Sequence, residues 1–145
     1  MTDPSTEVAS ERQAPLRVLV YSDDVDTRTQ VTTALGRRIH PDLPPVEYVE
    51  CATFPVVLQQ MDAGGIALAI LDGEATPAGG MGVARQLKDE IFQCPPLLVL
   101  TAREQDAWLA TWSRADGVSS HPIDPLKLAN AVLGLIAPAA TTAPA

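Results

Sequence analysis

Two apolar runs in this chain end in carboxylates, and those carboxylates are the residues best placed to do chemistry. The first run has Val18, Leu19 and Val20 at its centre and is followed by Ser22, Asp23, Asp24, Val25 and Asp26. The second is IALAIL at residues 66–71, followed by Asp72, Gly73 and Glu74. Six apolar residues bounded by Gly65 and Gly73 read as a short strand buried on both faces, which belongs in a parallel sheet covered by helices. Open sheets of that kind carry their chemistry at the carboxyl ends of the strands. Asp followed by Gly also starts turns in any protein, so Asp72 alone fits a turn as well as a site. Two separate strands that both end in Asp are hard to explain by turn chemistry.

The elements that must position these residues alternate along the chain. A first strand at 16–21 leads to a helix at about 25–38, with Asp24 as its cap and Val31, Ala34 and Leu35 as its inner stripe. A proline-rich connection at 40–45 precedes a second strand at 46–51. Thr53 and Pro55 open a second helix, which Gly64 and Gly65 close. After the strand ending at Asp72, a loop rich in Gly and Pro leads to a third helix at about 81–92, with Val83, Leu87 and Ile91 facing inward. Pro95 and Pro96 break it before a fourth strand, LLVL at 97–100, that ends in Thr101. A fourth helix spans about 103–114, a fifth strand 117–120 ends at His121 and Pro122, and Asp124 caps a last helix from Pro125 to about 136. The fold expected is α/β and flavodoxin-like: a doubly wound five-stranded parallel sheet in the order 2-1-3-4-5 with five helices. In that order strands one and three are neighbours, which brings Asp23 and Asp72 within reach of each other.

Composition narrows the possible functions. The 145 residues suffice for one core, read as a domain at 15–137 between a flexible segment at 1–14 and a disordered tail at 138–145. A net charge of −8 argues against nucleic-acid binding, which needs a basic surface. No apolar run is long enough for membrane insertion, and residues 1–7 lack the basic and apolar regions of a signal peptide, so a cytoplasmic location is expected. Cys51 and Cys94 have no partners at ligand spacing and read as small buried hydrophobes. Phe92 and Tyr48 read as core or rim, and His40 as solvated. Trp108 and Trp112, four apart, share one helix face, where they either pack on the sheet or form a binding surface.

Taken together, VLVYSDDVDTR at 18–28, AILD at 69–72, LVLTA at 98–102 and the segment from RADG at 114–117 to His121 and Pro122 resemble the receiver domain of bacterial response regulators, over about residues 16–137. The resemblance implies phosphoryl transfer from a histidine kinase to Asp72 as phosphoacceptor, through an ionised carboxylate nucleophile. It implies Mg²⁺ held by Asp23, Asp72 and the backbone carbonyl of Glu74. Thr101 would bond a phosphate oxygen, and His121 stands where the family places a lysine. It also implies a partner surface on the fourth helix, fifth strand and fifth helix, including Trp108, Trp112 and Val118.

The chain departs from the family pattern in several places. With Arg28 held in register the acidic pair is Ser22 and Asp23, so one of two carboxylates is missing; Asp24 replaces it only if the register slips. His121 is shorter than lysine and mostly neutral at pH 7. Pro77 lies one residue further from Asp72 than expected, Glu74 adds negative charge, and Val118 replaces the switch aromatic. The expected function is therefore an atypical stand-alone receiver that is not an enzyme. It would dock onto another protein or larger assembly, with impaired or absent phosphorylation. A working phosphoacceptor in a two-component relay is the alternative. A flavin or nucleotide binder on the same fold is disfavoured, because no Gly-rich phosphate loop follows strand one.

Overall fold

The computed structural model describes residues 14–136 except 77, 104, 105, 107 and 109–112. Its sheet has five parallel strands: β1 (Leu16–Tyr21), β2 (Val46–Cys51), β3 (Leu68–Asp72), β4 (Leu97–Thr101) and β5 (Gly117–Ser120). Their order is β2-β1-β3-β4-β5, as the alternating pattern predicts. Every residue of β3 and β4 is buried, as helices on both faces require. Register places Tyr21 beside Cys51 and Leu71, and Asp72 beside Leu100, so the functional residues cluster at one edge.

Four helices stand among the described residues: α1 (Val25–Leu35), α2 (Phe54–Ala63), α3 (Gly80–Glu90) and α4 (Pro125–Ile136). The fifth expected helix, at about 103–114, falls largely on residues outside the described set, as does Trp112; the expected segments at the two ends of the chain fall there almost entirely. Asp24 caps α1 through an Asp26 N–H···Oδ1 bond of 2.9 Å. The helix stops three residues short of the expected Arg38, because Gly36 turns into the left-handed region at φ 71°. Tyr48 donates its phenol hydrogen to the Gly36 carbonyl at 2.6 Å and so fixes that turn against β2. Asp124 caps α4, accepting from Leu126 N and Lys127 N. Helix α3 ends at Glu90, and Phe92 is 88% exposed, so it belongs to neither core nor rim.

Alternate strand residues point to opposite faces, and this splits the core into two layers. Leu19, Tyr21, Ala69, Leu71 and Val99 pack against Val57 and Met61 of α2 and Val83, Ala84 and Leu87 of α3. Val18, Val20, Ile70, Leu98 and Leu100 pack against Val31 and Leu35 of α1 and Leu128 and Val132 of α4. Asp116 joins α3 to the sheet: its Oδ2 accepts from Lys88 Nζ at 2.6 Å and from Leu97 N at 2.8 Å. Arg114 adds an ion pair to Asp89 of α3.

Both cysteines are free; Cys51 is buried and Cys94 partly so. Burial pushes the Cys51 thiol up to about 11, so at pH 8 only about one in a thousand is the reactive thiolate. A disulfide reagent added to native protein at that pH is therefore expected to leave Cys51 unmodified until denaturant is added. Prompt labelling of two thiols would contradict this burial.

Candidate functional site

The site forms where β1 and β3 end side by side. Asp72, the last residue of β3, is 4% exposed. Its carboxylate is nonetheless well served. Ser22, the first residue after β1 and 0% exposed, donates its hydroxyl to Asp72 Oδ2 at 2.8 Å. Glu74 N–H donates to Asp72 Oδ1 at 2.9 Å. Nε2 of His121 stands 3.4 Å from the same Oδ1. A buried carboxylate needs such donors to offset lost hydration, so Ser22 occupies its position as a partner of Asp72 rather than as a gap in an acidic pair.

Ser22 is itself held from three sides. Its N–H donates to Cys51 O at 3.1 Å, and its Oγ accepts from Asp24 N at 3.0 Å. Its carbonyl accepts from Arg28 Nη1 at 2.6 Å, while Arg28 Nε reaches Glu50 Oε1 at 3.1 Å. Asp24 is the helix cap, and Asp23 is the acidic residue that follows Ser22. Asp23 is exposed, and its Oδ2 accepts the Thr76 hydroxyl at 2.9 Å. That bond, foremost, holds the Asp23 carboxyl below its ordinary value and keeps it ionised at neutral pH.

Asp23, Asp24, Asp72, Glu74, Ala102 and His121 line one open cleft. Among these lining residues, only His121 carries positive charge, and only when protonated. The His121–Pro122 peptide is cis, and His121 N donates to Thr101 O at 2.8 Å. Thr101 is buried at the end of β4 with its hydroxyl donating to Arg103 O at 3.1 Å, facing its own loop rather than Asp72. Among the described residues no three His, Cys, Asp or Glu side chains converge into a metal cage.

The structure thus gathers Asp23, Asp72, Glu74 and His121, and places Thr101 at the adjoining strand end. Val118 is half-buried on β5 beside Val99. Trp108 is 68% exposed, which removes sheet packing as its role. Sequence reasoning passed over Ser22 as a donor, Thr76 as a partner of Asp23, and Tyr21, whose phenol donates to Ala78 O at 2.6 Å. Ser22 could have been found from its place after the strand; the other two pairings leave no local signal.

No protein-family model matches the chain. It is 64% identical over 121 residues to an uncharacterized response regulatory protein of Mycobacterium tuberculosis, found in two strains, and the match covers 83% of this chain and 91% of the relative. The chain belongs to the response regulators. Solved structures agree on the fold of this response regulator. The chemotaxis protein CheY4 of Vibrio cholerae superposes with a TM-score of 0.66 at 18% identity, covering 84% of this chain and 99% of CheY4. DrrB of Thermotoga maritima, an OmpR/PhoB homolog, gives 0.64 at 19% identity over 83% of this chain, which spans about half (52%) of DrrB. The described part of this response regulator is a receiver domain. No helix among its described residues is long and apolar enough to cross a membrane.

Proposed function

We propose that this receiver is a stand-alone protein-docking module, without enzymatic turnover of its own, in which phosphorylation of Asp72 is impaired. The observation that supports the reading most is the internal satisfaction of Asp72. Its two oxygens already accept from Ser22 and Glu74 N–H, and among the described residues no lysine or arginine lines the cleft. Each of those donors stabilises the carboxylate charge and so weakens the oxygen that must attack phosphorus. The incoming phosphoryl group then meets Asp23, Asp24 and Glu74 with only His121 to offset their charge. Thr101 must also release Arg103 O before it can reach a phosphate oxygen.

The donor chemistry still suits a hard divalent cation, because the Asp23 and Asp72 carboxylates and the Glu74 carbonyl are all oxygen ligands. Bound there, Mg²⁺ would supply charge neutralisation beside Asp72. Gathering of these groups in one cleft favours the second reading, a phosphoacceptor served by a histidine kinase. Partner docking is assigned to the face of β5 and α4 and the connection before β5, where Trp108 offers an exposed aromatic anchor. The −8 charge favours a protein partner over nucleic acid or an anionic membrane surface.

Acetyl phosphate with Mg²⁺, followed by intact mass measurement, separates the readings. The expected result is little or no phosphoryl adduct. Partner capture by wild type and by Asp72→Asn should be equal. Stoichiometric phosphorylation, absent in Asp72→Asn and required for capture, would sink the docking reading.

A further inference from the structure

The described residues between β3 and α3 are fastened at two places. At the start, Gly73 N donates to Leu100 O at 2.8 Å and Ala75 N donates to Asp72 O at 3.1 Å, with the Ala75 side chain buried. At the finish, Ala78 O accepts from Tyr21, which is itself locked in the α2/α3 layer of the core. Thr76 stands between these anchors, exposed, and its hydroxyl donates to Asp23 Oδ2. Residues 53 positions apart are joined there, the end of β1 to the loop after β3. Asp23 is open to water, so it has no need of Thr76 for solvation. What the bond changes is how freely Asp23 can be used.

We propose that Thr76 is a strap that competes with a divalent cation for Asp23, making it a positioning residue that sets the cation affinity of the cleft. This rests on the assignment of Asp23 and Asp72 as cation ligands made above. Mg²⁺ demands short, near-ideal contacts and gives up water reluctantly. An oxygen that already accepts a hydroxyl proton presents a weaker lone pair, and the bond ties Asp23 to the segment that follows β3. A cation that takes Asp23 Oδ2 meets an oxygen whose charge is already shared with the Thr76 hydroxyl, and removing the bond beforehand frees it.

The test is calorimetric titration of Mg²⁺ into the full chain with no phosphoryl donor present. Thr76→Val keeps the shape and removes the hydroxyl; it is expected to lower Kd about three- to tenfold. Thr76→Ser keeps the donor and is expected to match wild type. Thermal unfolding in EDTA should be the same for all three, since Thr76 is exposed. An unchanged or weaker Kd in Thr76→Val overturns the strap, because the hydroxyl would then be idle or itself a ligand. Thr76→Ser behaving like Thr76→Val overturns it too. So does a cation that binds none of the three proteins; the docking reading, which needs no cation, would still stand on its own test.

Discussion

Gly80→Ala is expected to destabilise the protein by about 3 kcal/mol, although alanine is the better helix former. Gly80 is the first residue of α3, and a Cβ there would lie 2.6 Å from Asp72 O, 2.7 Å from Asp72 C and 2.8 Å from Leu71 C. All three atoms are backbone at the end of a fully buried strand, so no side chain can swing away. The only relief is to lift α3 off β3, which loosens Ala84, Val83 and Leu87 from the sheet. Gly82, in the same helix, has nothing within 4 Å of its would-be Cβ. Gly82→Ala should therefore stabilise by about 0.5–1 kcal/mol. Urea unfolding of the pair decides the matter: equal midpoints would show that the contact of α3 with β3 is looser than described.

The same closeness explains what the sequence could and could not convey. Strands β1, β2 and β5 and helix α4 fall where apolar runs, carboxylates and the Asp124, Pro125 pair put them, because those signals are local. Helix α1 ends short of the expected Arg38, since Arg37 and Arg38 suit the negative end of a helix while Gly36 already leaves the helical region. Helix α3 ends short for a similar reason: Ile91 is already extended and Gln93 has φ 52°, so Phe92 is carried out into solvent. Strand β3 starts at Leu68 rather than Ile66, although Ile66 remains buried. Asp23 and Asp72 were legible because strand order alone makes them neighbours. The bonds from Ser22 to Asp72, Thr76 to Asp23 and Tyr21 to Ala78 join residues 50, 53 and 57 positions apart. Only the first has a local signal, the place of Ser22 just after its strand; nothing local encodes the other two. Reading Ser22 as a lost ligand was natural for a pattern of residue types; its buried hydroxyl, aimed at Asp72, shows what it does instead.

The second large effect concerns that serine. Ser22→Asp restores the acidic pair but sets a second carboxylate where a donor now lies 2.8 Å from Asp72, at a fully buried position. Two like charges that relax to about 4 Å repel by about 4 kcal/mol at an effective dielectric of 20, and Asp72 also loses a hydrogen bond. In EDTA at neutral pH the variant is expected to lose about 3–4 kcal/mol of stability. The loss should shrink as pH falls into the carboxylate range, where protonation of one partner removes the repulsion. A cation that binds only the folded form recovers stability by mass action, about 1.4 kcal/mol at ten times its Kd. Chemical denaturation of Ser22→Asp should therefore depend on Mg²⁺ far more than that of wild type. An identical loss with EDTA and with Mg²⁺ would show that a restored acidic pair does not rebuild a cation site here.

The two-layered core has a consequence of its own. Among the described residues, the layer under α2 and α3 and the layer under α1 and α4 share no buried side chain, and the strand backbones lie between them. Substitutions on opposite sides of the sheet are thus too poorly connected to compensate or aggravate one another, and their costs should simply add. For a lineage of such chains, this amounts to two independent ledgers of tolerated change. The side that receives Tyr21 and anchors the strap can stay fixed while the side carrying α1 and α4 drifts toward new partners.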